Sequence, residues 1–222
     1  MKHLSLRHAI IETAQKMTAL GLNQGTAGNV SVRADDTLLL TPSGVAYEDL
    51  TPGDIVSMTF DNRWSVENPG RYPTSEWRIH RDILSTHNEV GAVLHAHSPF
   101  CTTLACLQRD IPAFHYMIAV AGGDSIRCAP YATFGTEELS KAALAALEDR
   151  KACLLAQHGM IACGTDLTEA LKLAVEVETL AQTYWRALQI GEPTVLSTQE
   201  MQRVLKKFAA GYGFGSEPDN EP

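Results

Sequence analysis

A single α/β domain with a mixed, largely antiparallel central sheet flanked by helices is predicted by three observations. Short apolar runs at residues 38–40, 54–60, 92–97, 117–121 and 152–157 have the length and composition of strands, and segments of helical periodicity lie between several of them. The 222-residue chain has no internal repeat and no linker long enough to divide it. Hydrophobic residues make up 45% and charged residues 20%, which supplies one sizeable core.

In residues 5–20, Ile10, Ile11, Ala14, Met17 and Leu20 recur at helical spacing, and Gly21 stops the helix. The loop that follows places Gly25 and Gly28 among small polar residues before Val30 and Val32, whose alternation starts a strand. Leu38 to Leu40 form a second strand, TPSG at 41–44 a turn, and residues 54–60 a third strand closed by Asp61-Asn62. A helix is predicted over 74–87, because Pro73-Thr74-Ser75-Glu76 offers a capping hydroxyl and an acid in the first turn. Residues 92–97 read as a buried strand, and Ser98-Pro99 opens a helix where proline is tolerated. Further buried strands are predicted at 117–121 and 152–157, with a helix over 136–147 between them. Leu167, Ala170, Leu171, Ala174, Val177, Ala181, Tyr184 and Leu188 mark one face of a long helix, with Asp166 and Glu169 as a capping pair. A last helix spans 198–209, the domain closes at 212, and 213–222 is a flexible polar tail.

Composition narrows the function. Lys and Arg number 18 against 26 Asp and Glu, a net charge of −8, so no basic excess serves a nucleic acid or a membrane surface. The amino terminus lacks a signal-peptide pattern and no apolar run is long enough to span a bilayer, which leads to the expectation of a cytoplasmic protein. Five cysteines without a CxxC pair read as reduced and mostly buried thiols.

The residues that carry chemistry cluster in few places. His95 and His97 stand two apart in a strand, so both imidazoles project from one face. Two polar rings at the end of an apolar strand are costly unless a metal or strong hydrogen bonds satisfy them. His158 ends another buried strand beside Gly159, which allows close backbone approach, and supplies a third ligand. Glu76 is the best-placed carboxylate. His80, one turn later, reads as a solvated helix residue, with a supporting role beside Glu76 as the alternative. His3, His8 and His87 read as surface residues. Gly28-Asn29, Ser43-Gly44 and Thr74-Ser75 combine glycine turns, hydroxyls and a helix start, which together can hold a phosphate without a basic cluster.

The segments GLNQGTAGNVSVR, TPSGVAYEDLT, PTSEWRIH, HAH, FHYMIAVAGGDSIRCAPYATFG and QHGMIACG, in that order and spacing, resemble the class II aldolase/adducin superfamily over residues 5–208. Within it they are most similar to the branch that cleaves L-fuculose 1-phosphate. The resemblance implies a C4 homotetramer with active sites between subunits and one Zn2+ per subunit on Glu76, His95, His97 and His158. It implies a phosphate site of Gly28, Asn29, Ser43, Gly44, Thr74 and Ser75, with Thr74 where close relatives carry serine. It implies Tyr116 as a catalytic residue reaching a neighbouring subunit, Phe134 as an aromatic wall, and Phe208 and Tyr212 as substrate contacts, although one extra residue separates that last pair. The expected activity is reversible cleavage of a ketose 1-phosphate to dihydroxyacetone phosphate and a short aldehyde (L-lactaldehyde from L-fuculose 1-phosphate), with Glu76 as ligand and proton carrier.

Other members of the superfamily act as aldolases on 5-deoxyribulose or methylthioribulose 1-phosphate, or as epimerases, decarboxylases and dehydratases. The epimerases carry aspartate where this chain has Glu76. A non-catalytic, adducin-like interaction module would be expected to have lost the four ligands.

Overall fold

The computed structural model describes residues 1–211. Its strands are β1 (Asn29–Ala34), β2 (Thr37–Leu40), β3 (Val56–Thr59), β4 (Trp64–Ser65), β5 (Ala92–Ala96), β6 (Cys128–Ala129), β7 (Ala152–Leu155) and β8 (Gly159–Gly164). They form one sheet in the order β4-β3-β2-β1-β5-β8-β7-β6. Only β6 and β7 pair in parallel, so the sheet is mixed and largely antiparallel. The helices are α1 (Leu4–Ala19), α2 (Trp77–Thr86), α3 (Pro99–Cys106), α4 (Glu137–Ala146), α5 (Leu167–Ile190) and α6 (Thr198–Ala209).

Because side chains alternate along a strand, each central strand feeds two cores. Val30, Leu94, Met160 and Leu154 join Ile10, Leu104, Val177 and Met201 in a layer packed by α1, α3, α5 and α6. Leu38, Val56, Val93, Ile161 and Leu155 face the other way, onto Ile79 and Ile83 of α2 and Leu139 and Ala143 of α4. The same alternation sends Asn29 and Ser31 of β1 to the α2 side, and Asn29 sits directly opposite His95 in the antiparallel β1–β5 pair. A polar pocket thus opens within the α2 layer.

Three expectations are corrected. Residues 117–121 lie in a 3-10 helix, Tyr116–Ala121, rather than a strand. A short apolar run does not by itself separate the two, and here His115 Nδ1 accepts from Met117 N while Gly122, at φ 91°, ends the turn. The helix expected from Thr74 begins at Trp77, because Thr74 N is bonded to Thr41 O at 3.2 Å and Pro73 is bridged to Pro42, which keeps this stretch extended. Finally, β8, which the sequence reading does not assign, fills the position between β5 and β7. Tyr212 and the tail 213–222 lie outside the described residues. Among those residues, no helix is long and apolar enough to cross a membrane.

Candidate metal centre

Four side chains converge from three separate pieces of chain. His95 projects from β5 into the α2 layer and is wholly buried. His97 follows the last residue of β5, and its backbone N–H is anchored on Asn23 Oδ1 at 2.9 Å. His158 sits in the turn between β7 and β8, beside Gln157, whose φ of 51° is in the left-handed region. Glu76 is the N-cap of α2 rather than a first-turn residue, and its side chain makes no cap hydrogen bond. It is therefore directed at the histidines instead of at its own helix.

His95 Nε2 lies 2.9 Å from His97 Nε2 and 3.2 Å from Glu76 Oε2, and His158 Nε2 lies 3.1 Å from Glu76 Oε1. All four candidate ligand atoms fall within 4.8 Å of one another. His95 Nδ1 is 2.9 Å from the Met160 carbonyl oxygen, which can only accept, so Nδ1 carries a hydrogen and Nε2 is left to offer its lone pair inward. Glu76 Oε1 is buried without a full hydrogen bond, its nearest approach being His158 Nε2 at 3.1 Å. Such a buried, underused carboxylate oxygen facing imidazole nitrogens is a donor set that fits a divalent cation.

The electrostatics agree. Burial pushes the Glu76 carboxyl up, but the adjacent His95 and His158 more than offset this and hold it well below the usual carboxylate range. Burial lowers His95, yet Glu76 beside it leaves a net rise. His97 is pulled down to about 4 by burial and by its two imidazole neighbours, which keeps it a neutral ligand at ordinary pH. A bound cation would take over the charge balance that the Glu76 carboxylate strikes with its neighbours.

This cluster borders a cavity of about 360 Å³. Gly28, Asn29, Ser43, Gly44, Thr74, Ser75 and Phe134, all singled out in the sequence, line it together with Glu76, His97 and His158. Gly28 and Gly44 adopt φ of 76° and 70°, a region that side chains disfavour. The Asn29 amide is engaged within the chain, on Thr74 and Glu76. Tyr116 does not line the cavity; it lies on the 3-10 helix and is 40% exposed. Phe208 belongs to the last turn of α6 and packs against the main core, so within one chain it is not a wall of the cavity.

One reading changes at this site and three residues join it. His80 is not solvated but fully buried, bonded to Asn29 and Ser31. Burial, then the proximity of His95, pulls its imidazole down to about 3. Tyr131 and Gln157 also line the cavity, and Asn23 holds His97, although none was selected from the sequence. Asn23 lies inside the polar glycine loop and Gln157 next to His158, so position was the only available signal.

The sequence model for the family described as "Class II Aldolase and Adducin N-terminal domain" matches residues 8–185. A 5-methylthioribulose-1-phosphate/5-deoxyribulose-1-phosphate aldolase of Rhodospirillum rubrum is 58% identical, over 99% of this chain and 97% of that protein. An L-fuculose phosphate aldolase of Escherichia coli K12 is 51% identical, over 94% of this chain and 96% of that protein. Among solved structures, an L-fuculose 1-phosphate aldolase superimposes with a TM-score of 0.90 at 38% identity, covering 94% of this chain and 98% of that one.

Proposed function

The chain belongs to the class II aldolase and adducin family, and from that premise we propose that it is a metal-dependent lyase that reversibly cleaves a ketose 1-phosphate to dihydroxyacetone phosphate and a short aldehyde. The observation that carries this reading is the convergence of Glu76 with His95, His97 and His158 on the wall of a cavity that also presents hydroxyls and glycine turns. Three imidazoles and a carboxylate suit Zn2+, which when bound supplies a Lewis acid that polarises the substrate's carbonyl and neighbouring hydroxyl oxygens.

The chain's own groups have separable tasks. Ser43, Thr74 and Ser75 offer hydroxyls, and the turns at Gly28 and Gly44 offer backbone N–H groups, to a phosphate in the cavity. With a net charge of −8 the attraction of that phosphate is local rather than a property of the whole surface. Glu76 stays ionised at working pH, so it is equipped to hold and return the proton on the carbon that is the nucleophile in the condensation direction. Tyr116 does not line its own cavity and is 40% exposed, which suits delivery to the site of a neighbouring copy in a C4 homotetramer. There it would manage the proton of the aldehyde-forming hydroxyl. Phe134 and Tyr131 line the cavity wall and are the aromatic surfaces available to the released aldehyde. The five free cysteines suit a reducing compartment such as the cytosol.

L-Fuculose 1-phosphate and the 5-deoxyribulose or methylthioribulose 1-phosphates share the phosphate and the reacting carbons and differ in the aldehyde released. The higher identity to the Rhodospirillum protein over nearly the whole chain favours the 5-deoxypentulose phosphates as the better substrates. The test is release of dihydroxyacetone phosphate from each compound in a coupled assay, before and after chelation. Expected is release that stops on chelation and returns with zinc. In Glu76→Gln, turnover is expected to fall by about two orders of magnitude or more while the fold survives. Turnover in that variant near the wild-type rate would reject the role of Glu76, and no release from any of the three by zinc-loaded protein would reject the aldolase reading.

A further inference from the structure

His80 is a buried histidine that takes no part in the ligand set. It lies one turn after Glu76 on α2, is fully buried, and is bonded at both ring nitrogens: Nε2 to Asn29 Oδ1, and Nδ1 to Ser31 Oγ at 2.7 Å. Asn29 in turn donates from Nδ2 to Thr74 Oγ1 at 3.0 Å and to Glu76 Oε2 at 2.9 Å. A carboxylate only accepts, so the amide nitrogen must face Glu76 and the amide oxygen must face His80. His80 Nε2 therefore carries the hydrogen, and Nδ1 accepts from the Ser31 hydroxyl, which turns to donate to it. If the Asn29 amide were flipped, its oxygen would oppose the Glu76 carboxylate and its NH2 would oppose the His80 N–H.

We propose that His80 is a positioning residue for Glu76 that acts through Asn29: its donated hydrogen bond locks the amide orientation that presents an N–H to Glu76 Oε2. The partly used Oε1 is then held toward His158 and the shared ligand position. The chain Ser31, His80, Asn29, Glu76 links β1 to α2, and every member is buried. Placed this way, His80 sets the direction of the carboxylate in the cluster from off the cavity wall. The inference rests on the metal-centre reading above and specifies how that centre is oriented.

The test is the zinc affinity of the full chain, measured with zinc alone by chelator competition, beside circular dichroism and thermal unfolding. Gln places an amide N–H near the position of Nε2, whereas Asn reaches only toward Ser31. His80→Gln is expected to bind zinc close to wild type, and His80→Asn about tenfold more weakly with its circular dichroism unchanged. Asn29→Ala and the double variant Asn29→Ala/His80→Asn are expected to bind equally weakly, because His80 works only through Asn29. A merely structural role would lower the unfolding temperature and leave zinc affinity alone. Wild-type affinity in His80→Asn, equal weakening in His80→Gln, or additivity in the double variant would each overturn the proposal. Should His80→Asn not fold, Asn29→Ala alone decides, and wild-type zinc affinity in that variant would also overturn the proposal. Wild-type protein that binds zinc but cleaves no ketose 1-phosphate would defeat the aldolase reading and leave this inference standing. Cleavage together with an indifferent His80→Asn would do the reverse, and a wild-type chain that binds no zinc would overturn both.

Discussion

A Cβ on Gly159 would sit 2.4 Å from the carbonyl oxygen of Ala96 and 3.0 Å from His97 Cδ2. The first of these is backbone, so a side chain there would have to push β5 and β8 apart at the end that carries the histidine cluster. Gly159→Ala is expected to destabilise the protein by about 1–3 kcal/mol in denaturant unfolding and to weaken zinc binding, as overpacking does. Unchanged stability and affinity would show that the strand ends give way freely. The need for close approach at this glycine was legible in the sequence, and so was the common face of His95 and His97, because both follow from local geometry. His80 was not legible. A histidine four residues after a carboxylate reads as a solvated helix residue until β1 is laid beside α2 and the polar face of Asn29 and Ser31 meets it.

Between elements, Glu178 of α5 ties the start of α3. Its carboxylate accepts from Ser98 Oγ at 2.7 Å, Phe100 N at 2.9 Å and Cys101 N at 2.9 Å. Ser98 makes no cap of its own, so a residue eighty positions away satisfies the open amides of this helix, with its charge at the positive end of the helix dipole. Glu178→Ala is expected to cost about 1–3 kcal/mol in thermal or denaturant unfolding, since it orphans buried donors. A loss below about half a kcal/mol would mean that water replaces the carboxylate without difficulty. The helices with strong periodicity were read closely from the sequence, and α6 lies at 198–209 as expected. Asp166 Oδ1 does accept from Glu169 N at 2.8 Å, but Glu169 Oε2 takes the Thr165 amide, so the cap closes one residue earlier than the sequence pattern implies. Elements whose identity depends on neighbours were misread. The apolar 117–121 run has no strand to pair with and coils, while the glycine-bounded β8 finds β5 and β7 on either side and extends.

Over the whole molecule, buried titratable groups couple folding to pH. An unfolded histidine takes its proton near pH 6.5, whereas His80 in the folded chain does so only near 3. Between these values the unfolded state holds more protons, so His80 contributes stability above about pH 6.5 that is lost progressively as pH falls toward 3. Burial raises the Asp54 carboxyl, but bonds from Thr51, Asn68 and Arg71 more than offset this and hold it well below the carboxylate range. Its contribution is present above about pH 4 and lost below it. Metal-free protein is therefore expected to lose unfolding temperature steadily on acidification from pH 6.5, more steeply below pH 4. The lower limb is expected to flatten in Asp54→Asn. A flat profile between pH 6.5 and 4 would contradict the burial of a neutral His80.

The fold class, the four side chains of the candidate metal cluster and the glycine turns of the cavity were legible along the chain, because alternation, helical spacing and residue chemistry act over a few positions and are written in order. Only the tertiary structure decided where β8 inserts, where α2 begins, which side chains hold Glu76 and His97, and that Glu178 caps α3. Each of those depends on contacts between segments tens of residues apart, whose energy exists only once the sheet has brought them together.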